Sequence, residues 1–374
     1  MRIMDHAEDI RSGLMAWYEA NRRDLPWRRT TDPYSIWISE VILQQTRIDQ
    51  GRDYYLRFTG RFPDVGSLAR AGEEEVLRLW QGLGYYGRAR NLLKAARIIH
   101  DTFNDRFPDT WESLVALPGI GNYTAAAILS IAFGKPYPVV DGNVVRVVAR
   151  LTGMEVPADS ADGKKELASA AHQLLDRHAP GTFNQAVMEF GALHCKPIRP
   201  DCQNCIVQAH CRAFEYGKVG ELPVRKPKKV PRKRYFHYFV ILLPATTGLV
   251  IMRKRLDHDI WENLFDFPLI ESGSLLTEAQ LRKHPEFPES FRDPVAEVSE
   301  MKYVHRHILS HQHLYVKYFL VRIPDPSKIK IPPNWIPVNL ERLGDYPMPR
   351  LITRFFEKNR SVMGNKTSPF RINH

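Results

Sequence analysis

Outside one stretch of seventeen residues this chain of 374 has no cysteine. Its four cysteines, Cys195, Cys202, Cys205 and Cys211, all lie in that stretch, so no disulfide framework can run through the molecule. Nothing approaches the apolar length of a membrane span. The first residues, MRIMDHAEDIRSGLMAWYEANRR, contain neither an apolar signal core nor a small-residue cleavage site. No internal repeat is present. The expectation from these absences is a cytoplasmic protein. Acidic residues are also short: 42 against 53 Lys and Arg, a net charge of +11 with pI near 9.4. That balance favours a polyanionic partner, although a basic soluble protein without one is compatible with it. Length indicates two or three domains, and a hydrophobic content of 44% is ordinary for globular chains.

The cysteines form a C-x6-C-x2-C-x5-C array. Four soft ligands in one loop can close around tetrahedral zinc or an iron–sulfur cluster, and the spacing does not separate the two.

Residues 8–220 read as mostly helical. Apolar residues recur three and four apart at Val76, Leu77 and Trp80, at Leu92, Leu93, Ala96 and Ile99, and at Leu167, Ala171 and Leu174. Asp32 is an N-cap and Pro33 a first helical residue, predicting a helix through IWISEVILQQTR. Residues 221–234 break this pattern; from Arg225 to Arg234 seven of ten residues are basic and two are proline, the composition of an extended linker. Beyond it, residues 235–243, 249–255 and 313–321 are β-branched and aromatic, while 275–284 and 349–358 look helical. The predicted organisation is a helical domain over 1–220, a linker over 221–234, an α+β domain over 235–365 and a tail over 366–374.

Residues 117–125 read LPGIGNYTA between two helix-like segments, Trp111 to Leu117 and Tyr123 to Phe133. Pro118 stops the first segment. Gly119 and Gly121 allow a tight turn, and the free amides opening the second segment make an anion site. An ordinary helical corner would read the same way in isolation.

LPGIGNYTAAAIL, VVDGNVVRVVAR (139–150) and the cysteine array, in that order, resemble the helix–hairpin–helix DNA glycosylases of the endonuclease III superfamily. WISEVILQQTR (37–47) and GLGYYGRARNL (82–92) are similar, more narrowly, to its MutY-type adenine glycosylases. The likeness runs through residues 10–215 and is looser beyond. It implies a multidomain protein: an N-terminal all-α helix–hairpin–helix glycosylase with an Fe–S loop, then a C-terminal α+β Nudix-like domain. It further implies a [4Fe-4S] cluster in place of zinc. The implied partner is double-stranded DNA with adenine opposite 8-oxoguanine or G, bound by a monomer in the bacterial cytoplasm, at the nucleoid.

Releasing a purine calls for one protonated and one ionised carboxyl. Glu40 stands among Ile36, Trp37, Ile38, Val41 and Ile42, where desolvation would raise its pKa; an exposed helical Glu is the alternative. Asp141 follows apolar Pro138–Val140 and precedes a helical run, so it reads as an N-cap with a lowered pKa. The resemblance places Glu40 as the general acid and Asp141 beside the oxocarbenium-like cation, with Asn143 holding Glu40 or the water. Tyr123 stands where strand-nicking relatives carry the Schiff-base Lys, which implies a monofunctional enzyme. Gln44, Gln45 and Tyr85 are candidates to fill the space of an extruded base; the resemblance puts Gln45 and Tyr85 beside the partner base and Arg28 of LPWRR near the adenine pocket. Without it, Gln44 is helix surface and Tyr85 and Tyr86 are packing aromatics.

The C-terminal domain lacks a G-x5-E-x7-R-E-x2-E-E-x-G run, so it should bind without hydrolysing. Val304 to His311 resembles the loop that reads 8-oxoguanine, with Ser310 and His311 as its polar members and Leu309 in place of the usual aromatic. His305, His307, His311 and His313 could suggest a metal, but their alternation fits a surface strand better. Competing readings are a bifunctional glycosylase/lyase, a mismatch thymine glycosylase, a lesion-binding protein without catalysis, and a zinc transcription factor.

Overall fold

The structure is a computed structural model describing residues 6–227, 230–244, 248–291, 296–323, 325 and 332–359. The predicted tail and the end of the preceding domain lie outside these. One compact unit takes 6–71 and 91–227; the other takes 72–90 and the residues from 230 on.

The helices of the N-terminal half begin with α1 (Ala7–Asn21), α2 (Pro33–Leu43), α3 (Ile48–Arg61) and α4 (Val65–Ala69). There follow α5 (Glu73–Leu79), α6 (Gly87–Phe103), α7 (Trp111–Val115) and α8 (Asn122–Ile131). The last are α9 (Gly142–Thr152), α10 (Ala161–Leu174), α11 (Pro180–Leu193) and α12 (Arg212–Glu215). No described helix is long and apolar enough to cross a membrane.

Asp32 caps α2 by accepting from Ser35 N at 2.8 Å, with Pro33 at the first helical position. Eight of the eleven α2 residues are buried, Tyr34 and Ile36 through Ile42. A helix apolar on every face belongs at the centre of its domain. It packs against α3 and α8. The predicted continuation to Arg47 is corrected: α2 ends at Leu43. Gln44 turns extended, Gln45 takes φ 60°, and Thr46 N bonds back to Leu43 O at 3.2 Å. The chain must reverse there so that α3 can lie on α2; a Cβ at Gly51 would come within 2.7 Å of Leu43 Cδ2.

The hairpin between α7 and α8 turns at Gly119, whose φ is +80°. Gly121 is the N-cap of α8 and offers no side-chain cap. Asp141 caps α9, and Gly153 ends that helix with φ 68°. Helices α9 and α11 approach so closely at Gly191 that a Cβ there would sit 2.7 Å from Asn143 Cβ.

The second unit is built on strands β1 (Arg232–Leu242), β2 (Leu249–Lys254), β3 (Phe265–Asp266), β4 (Leu269–Ser272), β5 (Glu297–Ile308), β6 (Gln312–Arg322) and β7 (Trp335–Asn339). The sheet order is β3-β2-β1-β6-β5, with β4 also on β1 and β7 on β2. Only β1–β6 is parallel among the pairings described. Both faces are covered. Phe236, Tyr238 and Val240 meet Leu351, Ile352 and Phe355 of α14 (Arg350–Lys358). Phe239 and Ile241, pointing the other way, meet Leu281 of α13 (Glu278–Arg282), Phe287 and Phe291.

Two predicted boundaries change. Gly72–Arg90 groups with the second unit: Lys254 pairs with Glu74 at 2.6 Å, Arg90 with Glu262 at 2.7 Å, and Tyr86 Oη donates to Met348 O at 3.1 Å. The linker is not free along its length. Arg150 Nε donates to Leu222 O, Ala158 N to Val224 O and Lys226 N to Asp159, so 222–226 is docked on the first unit. Strand β1 begins already at Arg232.

Gly119→Ala should cost on the order of 2 kcal/mol, from the left-handed φ and a Cβ placed 2.7 Å from Asn91 Cβ. Gly121→Ala, with φ −92° and open space at its Cβ, should cost less than about 1 kcal/mol. Urea unfolding of the two variants checks this; equal losses would contradict the account of the turn.

Candidate active site and cysteine cavity

A cleft of about 410 Å³ in the first unit is lined by Glu40, Tyr123, Asp141 and Asn143, with Trp27, Arg28, Gln44 and Gln45 on its walls. Sequence reading singled out Glu40, Tyr123, Asp141, Asn143, Arg28, Gln44 and Gln45. Glu40 enters with α2 and is 8% exposed. Burial, reinforced by the Asp141 charge, pushes its carboxyl to about 7, against the pull of a hydrogen bond from the Tyr123 hydroxyl to Glu40 Oε2. Tyr123 is itself held well above its ordinary pKa, first by burial and then by Glu40, so it is a neutral donor. It bonds the acid directly, a contact not foreseen.

Asp141 accepts from Asn143 N at 2.9 Å and Val144 N at 2.7 Å on one oxygen, and from Asn143 Nδ2 at 2.9 Å on the other. The expected lowering of its pKa is corrected. Burial raises it, and the capping bonds together with Arg146 only restrain the rise. Asn143 was expected to hold Glu40 or a water. Its amide instead holds Asp141, while its Oδ1 accepts from Arg146 Nη2 at 2.8 Å.

Sequence reading missed Glu189. It lines the cleft from α11, buried, and accepts from Arg23 Nη2 at 2.6 Å and Arg28 Nη2 at 2.9 Å. Burial pushes its carboxyl up, but these bonds outweigh it and hold Glu189 at about 2. The signal was there: a Glu in apolar AVMEFGAL, as Glu40 stands in apolar IWISEVIL. Gln44 Nε2 reaches Thr124 Oγ1 at 3.4 Å. Gly119 and Gly121 are in the hairpin turn and not among the cleft residues.

Cys195, Cys202, Cys205 and Cys211 line one small cavity beside α9 and α11, and none of them forms a disulfide. Among the described residues no three His, Cys, Asp or Glu side chains form a group suited to a single metal ion. The donor set nonetheless fits a cluster that takes four thiolates. Burial pushes the Cys205 thiol up to about 11 and raises Cys202 and Cys211, so ionising them together needs a cationic centre. His194 Nε2 is buried without a partner among the described residues, and His194 lines the same cavity. Arg150 Nη1 reaches Cys195 Sγ at 3.3 Å. Arg146 runs from Asn143 to the Cys195 carbonyl, 2.8 Å from Nε.

Tyr85, Ser310 and His311 belong to the second unit. Tyr85 is 48% exposed, with φ 49°. Ser310 and His311 occupy the β5–β6 turn, closed by Leu309 N to Gln312 O at 2.9 Å. Leu309 is partly buried against the sheet's core, and Ile308 beside it is 62% exposed. His305 and His307 lie on β5 with rings 6.1 Å apart, whereas His313 is on β6.

Residues 38–174 match the HhH-GPD superfamily of base excision DNA repair proteins, and residues 237–358 match the NUDIX domain family. Fold and site thus define a helix–hairpin–helix base excision repair protein with a Nudix-like C-terminal domain. The chain is 36% identical to the adenine DNA glycosylase of Mus musculus over 310 residues, 70% of this chain and 60% of that protein. It is 35% identical to the adenine DNA glycosylase of Buchnera aphidicola subsp. Schizaphis graminum over 256 residues, 68% of this chain and 73% of that one. The chain therefore belongs to the adenine DNA glycosylase family of DNA N-glycosylases. A solved thermostable thymine-DNA glycosylase superposes with a TM-score of 0.53 at 30% identity, covering 57% of this chain and 98% of that structure.

Burial of Glu40 makes stability depend on pH. Below its ordinary value of 4.5, folded and unfolded chains both hold the proton; between there and about 7 only the unfolded chain releases it, and the folded state loses ground. A shift from 4.5 to about 7 corresponds to about 3 kcal/mol. Glu40→Gln has no such proton, so its stability relative to wild type should rise by about that amount between about pH 4.5 and pH 8. Chemical denaturation at both pH values checks this; a constant difference would contradict it.

Proposed function

We propose that this chain removes adenine paired with 8-oxoguanine or G from duplex DNA, as a monofunctional glycosylase that leaves an abasic site. The observation that carries the reading is the unlike pair of carboxyls in one cleft: Glu40, pushed to about 7 with a single phenol donor, and Asp141, tied down by three N–H groups. Glu40 protonates N7 of the flipped adenine, the N-glycosidic bond breaks, and Asp141 stabilises the cation electrostatically until water adds. Tyr123 presents a neutral phenol and no amine, so no Schiff base forms with the sugar. A net charge of +11 and the uncapped start of α8 support contact with phosphates. Gln45 and Tyr85 fill the space left by the extruded base. Ser310, exposed in its turn, reads the N7–H and O8 edge of the lesion. The protein acts as a monomer in the cytoplasm.

Cys195, Cys202, Cys205 and Cys211 would hold a [4Fe-4S] cluster, whose bonds staple the loop from 195 to 211. The purified protein should be brown with about four irons per chain, and Cys205→Ser should lose colour and thermal stability together. A colourless protein holding one zinc would overturn the assignment.

Single-turnover cleavage of a duplex with one A opposite 8-oxoguanine tests the reaction. Strand breaks should appear only after hot alkali, and Glu40→Gln should slow their formation by at least about 100-fold. Breaks without alkali would mean lyase activity. Breaks only in a G:T duplex would favour thymine excision, the reaction named for the similar thymine-DNA glycosylase.

A further inference from the structure

Ser310 does not stand alone in its turn. Its Oγ lies 3.2 Å from His311 Nδ1, and His311 Nε2 lies 3.1 Å from Gln312 Nε2. Gln312 is 5% exposed, so its amide is held rather than free to rotate. Its Oε1 accepts from Arg234 Nη1 at 3.4 Å. Arg234 is 7% exposed and is fixed in turn by Asp259 at 2.7 Å and Glu271 at 2.6 Å.

Hydrogen-bond arithmetic then settles every proton in the chain. A guanidinium only donates, so the Gln312 oxygen must face Arg234 and its NH2 must face His311. That NH2 requires an acceptor, so His311 Nε2 carries no proton. In a neutral ring the proton is then on Nδ1, pointing at Ser310 Oγ. With His311 donating to it, the Ser310 hydroxyl has its own proton left to give. We infer that Gln312 and Arg234 are positioning residues that hold His311 as its Nδ1–H tautomer, so that Ser310 offers a donor to a carbonyl oxygen of the bound base. This rests on the proposal that Ser310 faces the lesion. The oxygen that distinguishes 8-oxoguanine from guanine at this edge, O8, is an acceptor; guanine has only a C–H there. Set against position 8, that donor meets O8 of the lesion and only a C–H of guanine, whereas a hydroxyl that gave its proton to His311 would turn a lone pair towards O8 instead.

The test uses the full-length, cluster-loaded protein with 15N-labelled histidine. Long-range 1H–15N spectra report which ring nitrogen carries the proton, and His311→Asn identifies the signals by their loss. His311 should be Nδ1–H in wild type. Gln312→Glu keeps the size of the side chain and its pairing with Arg234, but turns an acceptor towards His311; the proton should move to Nε2. In the same Glu variant the single-turnover preference for A:8-oxoguanine over A:G should fall about tenfold. Adding Ser310→Ala to it should cause no further loss, since both act through one hydroxyl. A wild-type His311 protonated on Nε2, or a Glu variant whose tautomer moves while its preference does not, overturns the inference. Failure of the underlying reading looks different: Ser310→Ala alone would leave the preference intact.

Discussion

Burial of one carboxyl group, Glu40, is the constraint from which the rest of the first unit follows. It costs on the order of the energy of several hydrogen bonds to put a carboxylate where α2 puts this one. The fold avoids that cost by leaving the proton on. The helix that carries Glu40 is apolar on all faces and sits at the centre of its unit, so Glu40 cannot escape to water without pulling out Trp37, Ile38 and Val41. Asp141 is partly buried, but it sits at the opening of α9, where amides converge and the helix dipole is positive. Two carboxyls share one cleft, and at Asp141 the richer set of donors restrains the rise that burial causes.

The frame around the pair is held by hydrogen bonds and ion pairs among the residues that line and back the cleft. Arg146 ties Asn143 to the carbonyl of Cys195 and to Gly191 O, so the cap on Asp141 and the first cysteine share a support. Gly191 allows α11 to come close enough for this. Elsewhere in the lining the buried Glu189 gathers Arg23 and Arg28, and these ion pairs set the position of Arg28 in the cleft. Removing either arginine would leave the carboxylate underpaired in a place where water cannot replace the lost donor.

Much of this was legible before the fold was known. Asp32 followed by Pro33 announces the start of α2, Asp141 before a helical run announces a cap, and Gly119 marks the turn it makes. What sequence could not supply was long-range. The end of α2 is set by the reversal into α3, not by any breaker. The pKa of Asp141 was misjudged because capping is local, whereas its burial comes from elements distant in the chain. Glu189 escaped notice because its partners lie more than 160 residues away. In the second unit the aromatic strands were plain, yet the grouping of Gly72–Arg90 with them depends on pairs such as Glu74–Lys254 that no periodicity reveals. Leu309 was judged by residue type alone, and only the fold shows that it is partly buried against the sheet's core.

The most direct test of the central claim is the pH dependence of single-turnover adenine excision by the full chain, measured from about pH 5.5 to pH 9 with enzyme in excess. A buried acid at about 7 predicts a rate that is level below that value and falls about tenfold per pH unit above it. A rate that is unchanged or rises through pH 7 to 9 would mean that Glu40 does not deliver its proton in the slow step, and the account of the site would fail.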